Sequence, residues 1–578
     1  MKRKYFLNKA FLFNGLIISL LFVSCTDGFD RLNTNPFVKP SVPGSESNGA
    51  GIDLCETTND AEIASLNSTK ESVGAVFKNF TYEGLVNDYQ RATNLTHDIY
   101  AGYFATNKPD FLTSSPNYIY TDGWSALRWD HFYKDRSYEY KVLARTFWYL
   151  DRKAYKNAFY ITRIYYAFLT STMTDTYGDM PLGNYVRAES APDKVSYNTQ
   201  KDIYDMIFRM LKQATDSIVP GNSSFKFKET DDKCFKGDES KWLRFANTLR
   251  LRLALRISNI DPVRAQREAE SAMAHPAGLM SSQEDKMATV PNYAPVALGG
   301  ENQGGNENEV VNCSFRYVDA VMSKDLELAY KDQSNVLDPR CSISWFRPTP
   351  MELLVRGKEL KDKDFTGCEI GSNNINHNSD LYSVIRCNAW EDKSKLRDDY
   401  WFGYSREYLW LSYAESRFLL AEASLRGWKG ATKTPRDYFE DGIRASMDYY
   451  HIPSQFTEQY IKGLKIYSTD SDPFILNNKE GMLEQIITQK WLAVFPNGNE
   501  AWAEFRRTDY PRLRNHLNNR DSNIPGKMFI NRLRYPNSEI DYNADNIPAG
   551  INQSTLLWWD VANTNIPSGE RNKPNNFR

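Results

Sequence analysis

Residues 482–511 read MLEQIITQKWLAVFPNGNEAWAEFRRTDYP. Leu483, Ile486, Ile487, Trp491, Val494 and Phe495 recur at three- and four-residue spacing, which gathers them into one apolar stripe of a helix. Pro496-Asn497-Gly498 then interrupts the period with strong turn chemistry. A second amphipathic segment carries Trp502 and Phe505 three apart, and Pro511 ends it. Neither helix can cover its stripe alone, so the pair needs further helices behind it. The stretch predicts a helical hairpin inside a larger α-helical protein.

The same period recurs in both directions along the chain. Ala61 to Leu85 opens the helical body, and Ala158 to Thr176 places Ile161, Ile164, Tyr165, Phe168, Leu169 and Thr172 on one face. Helices are predicted over Thr199–Ile218 and Glu239–Ile257, the latter with Trp242, Phe245, Ala246, Leu249, Leu253 and Ile257 in its stripe. Arg406 to Arg426 repeats the pattern through Leu411, Ala414, Phe418, Ala421 and Leu425, and Gly427 closes it. Phe439 to Tyr450 follows with Ile443 and Met447. Alanines inside these stripes permit close approach, as in tetratricopeptide-like pairs. From about Met280 to Arg397 the period stops. Gly299 to Asn306 and Gly371-Ser372-Asn373-Asn374 mark long loops, where binding residues concentrate. The tail after Asn515 is rich in Asn, Pro and Arg and reads as loop.

Lys2, Arg3, Lys4 and Lys9 precede an apolar run from Phe11 to Val23 that Asn14 and Gly15 interrupt. That run is too short for a membrane span and reads as an export signal. It ends in Leu21-Phe22-Val23-Ser24-Cys25, which resembles a bacterial lipobox with Cys25 as the lipidated residue, although Phe22 stands where Leu is usual. The alternative is cleavage elsewhere with Cys25 incidental. Acyl chains on Cys25 would anchor a protein that is otherwise soluble. The acids of Thr26-Asp27-Gly28-Phe29-Asp30 come next, and Leu32 to Pro36 with Pro40, Pro43 and Gly44 reads as an extended tether.

A formal charge of −2 over 578 residues argues against nucleic acid as the main partner. Aromatic residues make up 14%, with 35 Tyr and 13 Trp, while the mean hydropathy is −0.59. A polar chain this rich in rings has more aromatic surface than core packing requires, and a pyranose ring stacks its apolar face on such surfaces. The alternative is that the rings fill a large core. Candidate ligand-facing rings are Tyr118 and Tyr120 in the loop Asn117 to Trp124, with Trp124 and Trp129 assigned to the bundle. In the irregular middle they are Trp345 and Phe346, ahead of Pro348 and Pro350, and then Trp390, Tyr400 and Trp401.

Motifs for chemistry are missing. The sequence has no nucleophile elbow, HExxH, phosphate loop or dinucleotide fingerprint. His97 and Asp98 are adjacent, hence about 100° apart on a helix, and do not make an acid–base pair. Asp175 and Asp179 lack EF-hand spacing and read as turn-stabilising, with Gly178 as an αL cap and Pro181 blocking resumption. Arg244, Arg252 and Arg256 read as a solvated or salt-bridged face. Of 7 cysteines, those besides Cys25 are Cys55, Cys234, Cys313, Cys341, Cys368 and Cys387. Six allow 15 pairings, and Cys368 with Cys387, which flank a polar loop, is the first to test. With no CxxC and 6 scattered His there is no ligand set for structural zinc. A glycosidase acid pair need not be close in sequence, so an anchored glycoside hydrolase is retained as an alternative.

Gln489 to Pro511 (QKWLAVFPNGNEAWAEFRRTDYP) resembles a signature of the SusD/RagB family, the surface glycan-binding lipoproteins of the Bacteroidetes. LNTNP at 32–36, NLTHDIY at 94–100, TDTYGDMPL at 174–182 and KWLRFANTLRLRLALRIS at 241–258 are similar to that family as well. The resemblance implies a mainly α fold, with tetratricopeptide-like helix pairs forming a right-handed superhelical scaffold and a long loop-rich insertion. It implies a signal peptide at 1–24, lipid anchor and tether at 25–60, and a SusD-like domain at 61–578. Within that domain helical blocks occupy 61–279 and 401–514, a loop-rich region 280–400, and a loop-rich tail 515–578. It further implies a non-enzymatic protein of the outer membrane, facing the cell exterior, that needs no cofactor or metal. Such a protein holds oligosaccharide and serves a SusC-like TonB-dependent transporter. The RagB side of the family implies peptide as the alternative ligand.

Overall fold

The computed structural model describes residues 66–561 and Phe577, apart from 83, 85–87, 107, 109–110, 112, 184–193, 290–308, 355, 373–378, 387–406, 469 and 525–528. The signal, Cys25, the tether, Cys55, Cys387, Trp390, Tyr400 and Trp401 lie outside the described residues.

Helix α1 (Val73–Tyr82) is followed by a π-helical segment, Gln90–Asp98, and strand β1 (Phe104–Ala105). Helix α2 (Asp122–Asp130) runs through a π-helical turn into α3 (Ser137–Leu150), and α4 (Lys156–Tyr177), α5 (Gln200–Ser217), α6 (Glu239–Arg256) and α7 (Pro262–Met273) complete the first block. Short strands β2 (Met287–Thr289) and β3 (Val321–Met322) and helix α8 (Lys324–Asp332) belong to the middle. Strand β4 (Tyr408–Leu411) leads into α9 (Tyr413–Leu425), α10 (Pro435–Tyr449), α11 (Ser454–Lys462), α12 (Lys479–Val494) and α13 (Gly498–Thr508). The protein is mainly helical. Consecutive helices pack as pairs, α4 with α5, α6 with α7 and α9 with α10, while α12 lies against α9.

Helix boundaries follow side-chain caps. Thr199 accepts the Asp202 N–H, Asp238 accepts those of Ser240 and Lys241, and Thr434 with Asp437 forms a capping box. Periodicity alone misplaces one start, because residues 408–411 are strand and not helix. They pair antiparallel with β2, and Ser412 then caps α9 by accepting the Glu415 N–H. Gly178 has φ +77° but ψ −124°, so it ends α4 outside the αL region expected for it. The stop also engages Asp179, whose carboxylate accepts the Gln200 N–H at 2.8 Å.

The opening hairpin is α12 and α13, with Trp491 and Trp502 both buried. Trp491 donates its indole N–H to Ala101 O at 2.8 Å, and Tyr103 donates its hydroxyl to Trp491 O at 2.5 Å. The start of α13 sits against Asp98 so closely that a Cβ on Gly498 would lie 2.3 Å from Asp98 Oδ1.

Between α6, α9, α12 and α13 lies a cluster of buried charges. Lys490 Nζ is 2.8 Å from Glu500, 3.1 Å from Glu504 and 3.3 Å from Glu415. Arg252 makes a two-pronged pair with Glu415 at 2.8 and 2.6 Å. Arg256 Nη2 is 2.6 Å from Glu500, and Arg507 joins Glu504 at 2.8 Å to Glu422 at 2.7 Å. The arginine face of α6 is therefore salt-bridged at Arg252 and Arg256, and it is buried rather than solvated. Asp175 belongs to the same cluster. It accepts from Tyr204 at 2.6 Å and Trp559 at 2.8 Å and lies 3.6 Å from Arg256, so its role is internal and not that of a turn brace.

Burial alone would lift the carboxyl pKa values of Glu422, Glu500 and Glu504, but the surrounding Arg and Lys charges hold all of them below the ordinary 4.5. Lys490→Met would leave its acids without their shared cation. Its unfolding free energy in urea is expected to fall by about 3–5 kcal/mol. Lys212→Met, which breaks an exposed pair with Asp216, should change it by less than about 1 kcal/mol. The pH response follows from the same charges. Unfolded glutamates take up protons near 4.5, whereas these remain ionised in the fold to lower pH. The unfolded chain binds more protons in that window, so stability present above about 4.5 is lost as the pH falls through it. Melting temperature against pH should show this acid limb, and Lys490→Met should flatten it.

Candidate ligand-binding surface

Strand β1 pairs antiparallel with β3, Phe104 opposite Met322 and Ala105 opposite Val321. This pairing sends the chain after β1 along the loop-rich middle. Lys108 and Gln90 both reach Asp319 there. The loop then makes a short 3-10 turn, Ser115–Asn117, and Tyr118 follows at φ +66°. The tail fixes the turn from the other side. Arg520 N–H donates to Asn117 O at 3.1 Å, Gln553 Nε2 to Tyr118 O at 2.6 Å, and Leu517 N–H to Ile370 O at 3.0 Å. His516 donates from Nε2 to Pro116 O at 2.7 Å and accepts the Asn518 N–H at Nδ1, 3.3 Å. Burial drives its imidazole down to about 4, which matches a neutral ring acting as donor and acceptor. Segments from the first block, the middle and the tail thus meet at one place.

The rings at this meeting point sort themselves by exposure. Tyr120 is half-buried, donates its hydroxyl to Asp122 at 2.6 Å and carries the Arg534 guanidinium 4.8 Å above its ring. Trp124, assigned to the bundle from its spacing, packs against the core as a half-buried ring in the first turn of α2 and meets Phe111 edge-to-face at 5.6 Å. The buried face of α2 is Ser125, Arg128 and Trp129. Phe111 carries no periodic signal and was missed for that reason.

Other expected contacts are core residues. Trp345 is fully buried between Phe104 at 5.4 Å and Phe495 at 5.7 Å, and leaves no face for a ligand. Phe346 is buried with the Arg386 guanidinium 4.4 Å over its ring. Tyr118 is 3% exposed and sits between Tyr100 and His516. Lack of helical period did not mean surface, because loop residues of the middle pack inward on β1 and on the α12–α13 turn.

His97 and Asp98 are both buried and face different partners. His97 contacts Thr96 and Thr176 through its two nitrogens, at 3.0 and 2.9 Å. Asp98 accepts from Tyr89 at 2.6 Å, Asn94 at 3.1 Å and Gly498 N–H at 3.2 Å, and burial pushes its carboxyl up to about 7 against these bonds. Among the described residues no group of His, Cys, Asp or Glu could hold a metal ion, and no helix is long and apolar enough to cross a membrane. Cys234, Cys341 and Cys368 are free thiols.

A family model described as SusD-like, the SusD and RagB outer membrane lipoproteins, matches residues 53–560. The chain belongs to the SusD-like family. This SusD-like protein is similar to a chitin-binding SusD homologue from Flavobacterium johnsoniae at 25% identity, with a TM-score of 0.66 over 87% of this chain and 100% of that one. A SusD homologue from Parabacteroides distasonis is 26% identical, with a TM-score of 0.70 over 85% and 98% of the two chains. One from Bacteroides vulgatus, 23% identical with a TM-score of 0.68 over 86% and 99%, shares the fold. No curated protein matches the chain.

Burial separates the tryptophans of this SusD-like chain experimentally. Trp345→Ala should cost about 3–5 kcal/mol of unfolding free energy, as for a large ring removed from a packed core. Trp124→Ala should cost about 1 kcal/mol or less. Urea unfolding of the two variants reads the difference directly.

Proposed function

We propose that this SusD-like protein is a non-catalytic surface lipoprotein that captures oligosaccharide and passes it to a SusC-like TonB-dependent transporter. Lipid on Cys25 holds it to the outer membrane, with the helical domain facing the cell exterior. The observation that carries the reading is the half-buried ring pair Phe111 and Trp124, with Tyr120 half-buried between them in the sequence. Phe111 and Tyr120 stand on a loop that the Arg520 N–H and the Gln553 side chain pin to the tail and that Lys108 ties to Asp319 of the middle, and Trp124 follows in the first turn of α2. Rings held in this way present apolar faces without losing side-chain freedom on binding, which suits stacking of sugar rings. Trp390, Tyr400 and Trp401 are proposed as further contacts. The chitin-binding homologue supports a glycan as ligand.

Affinity gel electrophoresis across a panel of polysaccharides tests the proposal. At least one polysaccharide should retard the wild-type protein, and Trp124→Ala should migrate nearly as in a gel without glycan while keeping its melting temperature. Release of reducing ends from the retarding polysaccharide would replace the binding reading with the hydrolase.

A further inference from the structure

The corner where α3 turns into α4 gathers like charge. Residues 151–156 read DRKAYK and residues 219–228 read VPGNSSFKFK. Hydrogen bonds hold the two segments together. Phe225 N–H donates to Ala154 O at 3.1 Å, Asn157 N–H to the Ser223 hydroxyl at 3.0 Å, and Asn157 Nδ2 to Val219 O at 2.8 Å. Beneath them Tyr155 sits between Phe147 at 5.1 Å and Phe225 at 4.9 Å. Arg152, Lys153, Lys156, Lys226 and Lys228 are all exposed, against one acid, Asp151, in the two segments. Asp151 is already engaged, accepting the N–H groups of Lys153 and Ala154 at 3.0 and 2.9 Å. Glu229, the next acid along the chain, faces Lys236 at 3.1 Å. Among the described residues none of Lys153, Lys156, Lys226 and Lys228 makes an ion pair. The corner thus departs from a chain whose 71 basic and 73 acidic residues balance.

Two further observations select the partner. Apolar groups stand beside the cations. Arg152 holds its guanidinium 4.0 Å over the half-buried ring of Trp148, Phe225 is half-buried, and Val219 is 50% exposed. Rings, an aliphatic group and unpaired ammonium groups on one face are the composition that favours the headgroup layer of a membrane. The chain also enters the body here. Leu66 is fully buried, and the Thr69 hydroxyl lies 2.9 Å from that of Thr146, about one turn before the end of α3. The tether expected ahead of this point therefore reaches the body at the basic corner. Lipid on Cys25 would keep anionic headgroups at high local concentration beside it, a gain that no soluble polyanion shares.

We propose that this corner docks on an anionic lipid surface, its five cations meeting headgroup phosphates while Val219, Phe225 and Trp148 reach the interface. The choice of lipid rests on the lipoprotein reading above, but the binding is measured without the anchor. The chain from Thr26 onward, which lacks signal and lipid, is sedimented with vesicles of phosphatidylcholine alone or mixed equally with phosphatidylglycerol. It should sediment with the mixed vesicles and stay in solution with the neutral ones, and salt at about 0.5 M should release it. Lys153→Gln, Lys156→Gln and Lys226→Gln together should weaken the partitioning about a hundredfold, at about fivefold for each basic residue near such a surface. All three side chains are exposed, and thermal melts check that the fold is kept. Lys358→Gln, Lys361→Gln and Lys363→Gln, an equal loss of exposed charge on the middle segment, should leave the partitioning unchanged. No sedimentation with the mixed vesicles, or equal weakening by both triple variants, overturns the docking face. Retention on heparin without sedimentation also overturns it, and makes the corner a site for soluble polyanions. Failure of the anchor is read separately, as absence of palmitate label on the full chain.

Discussion

The buried charges around Lys490 are the constraint on which the helical body depends. Each ion in that cluster gave up its water on folding, and only partners at hydrogen-bond distance can offset a cost of several kcal/mol per ion. Glu500, Glu504 and Arg507 are four and three residues apart, so α13 presents all of them on one face. Turning α13 by one residue would swing that face by about 100° and bury its charges against apolar neighbours. The cluster therefore specifies how the hairpin sits against α6 and α9. Arg340 extends the same logic to the middle, donating to Asp338 at 2.6 Å, Gln489 at 2.9 Å and Ser446 at 2.9 Å inside the fold.

The loop ahead of α2 inherits its shape from this arrangement. Once α13 is seated, Gly498 meets Asp98 and orients the π-helical segment before β1. The segment delivers Ala101 and Tyr103 to Trp491, β1 to β3, and the following loop to the middle and tail. Half-buried rings can then stand on an irregular loop and still be fixed in place. The loop holds the half-buried rings Phe111 and Tyr120, and the helices supply its foundation.

Much of the helical body was legible in the chain. Stripes such as Trp242 to Ile257 and Leu483 to Phe495 predicted helices close to those found, since apolar period and capping side chains are local properties. Strand β4 was not legible, because its partner β2 lies more than a hundred residues earlier and a four-residue apolar run fits either period. The site was read less well. Tyr120 stands where a ligand could meet it, but Trp345, Phe346 and Tyr118 are core. Exposure of a ring in an aperiodic segment depends on which distant chain covers it, and here β1, the 495 turn and the tail do so.

By itself, the sequence determined that the chain is built from paired amphipathic helices, that its middle is irregular, and through the letters of Gln489–Pro511 which family it belongs to. Those are statements about neighbours within a few turns of helix. Tertiary structure alone decided that Arg252, Arg256, Arg506 and Arg507 are buried rather than solvated. It also decided that Trp345 is fully buried while Trp124 and Phe111 stay half-buried. The physical reason is common to both. Burial and charge pairing are set by residues that folding brings together from far along the chain, and a local pattern carries no record of which ones arrive.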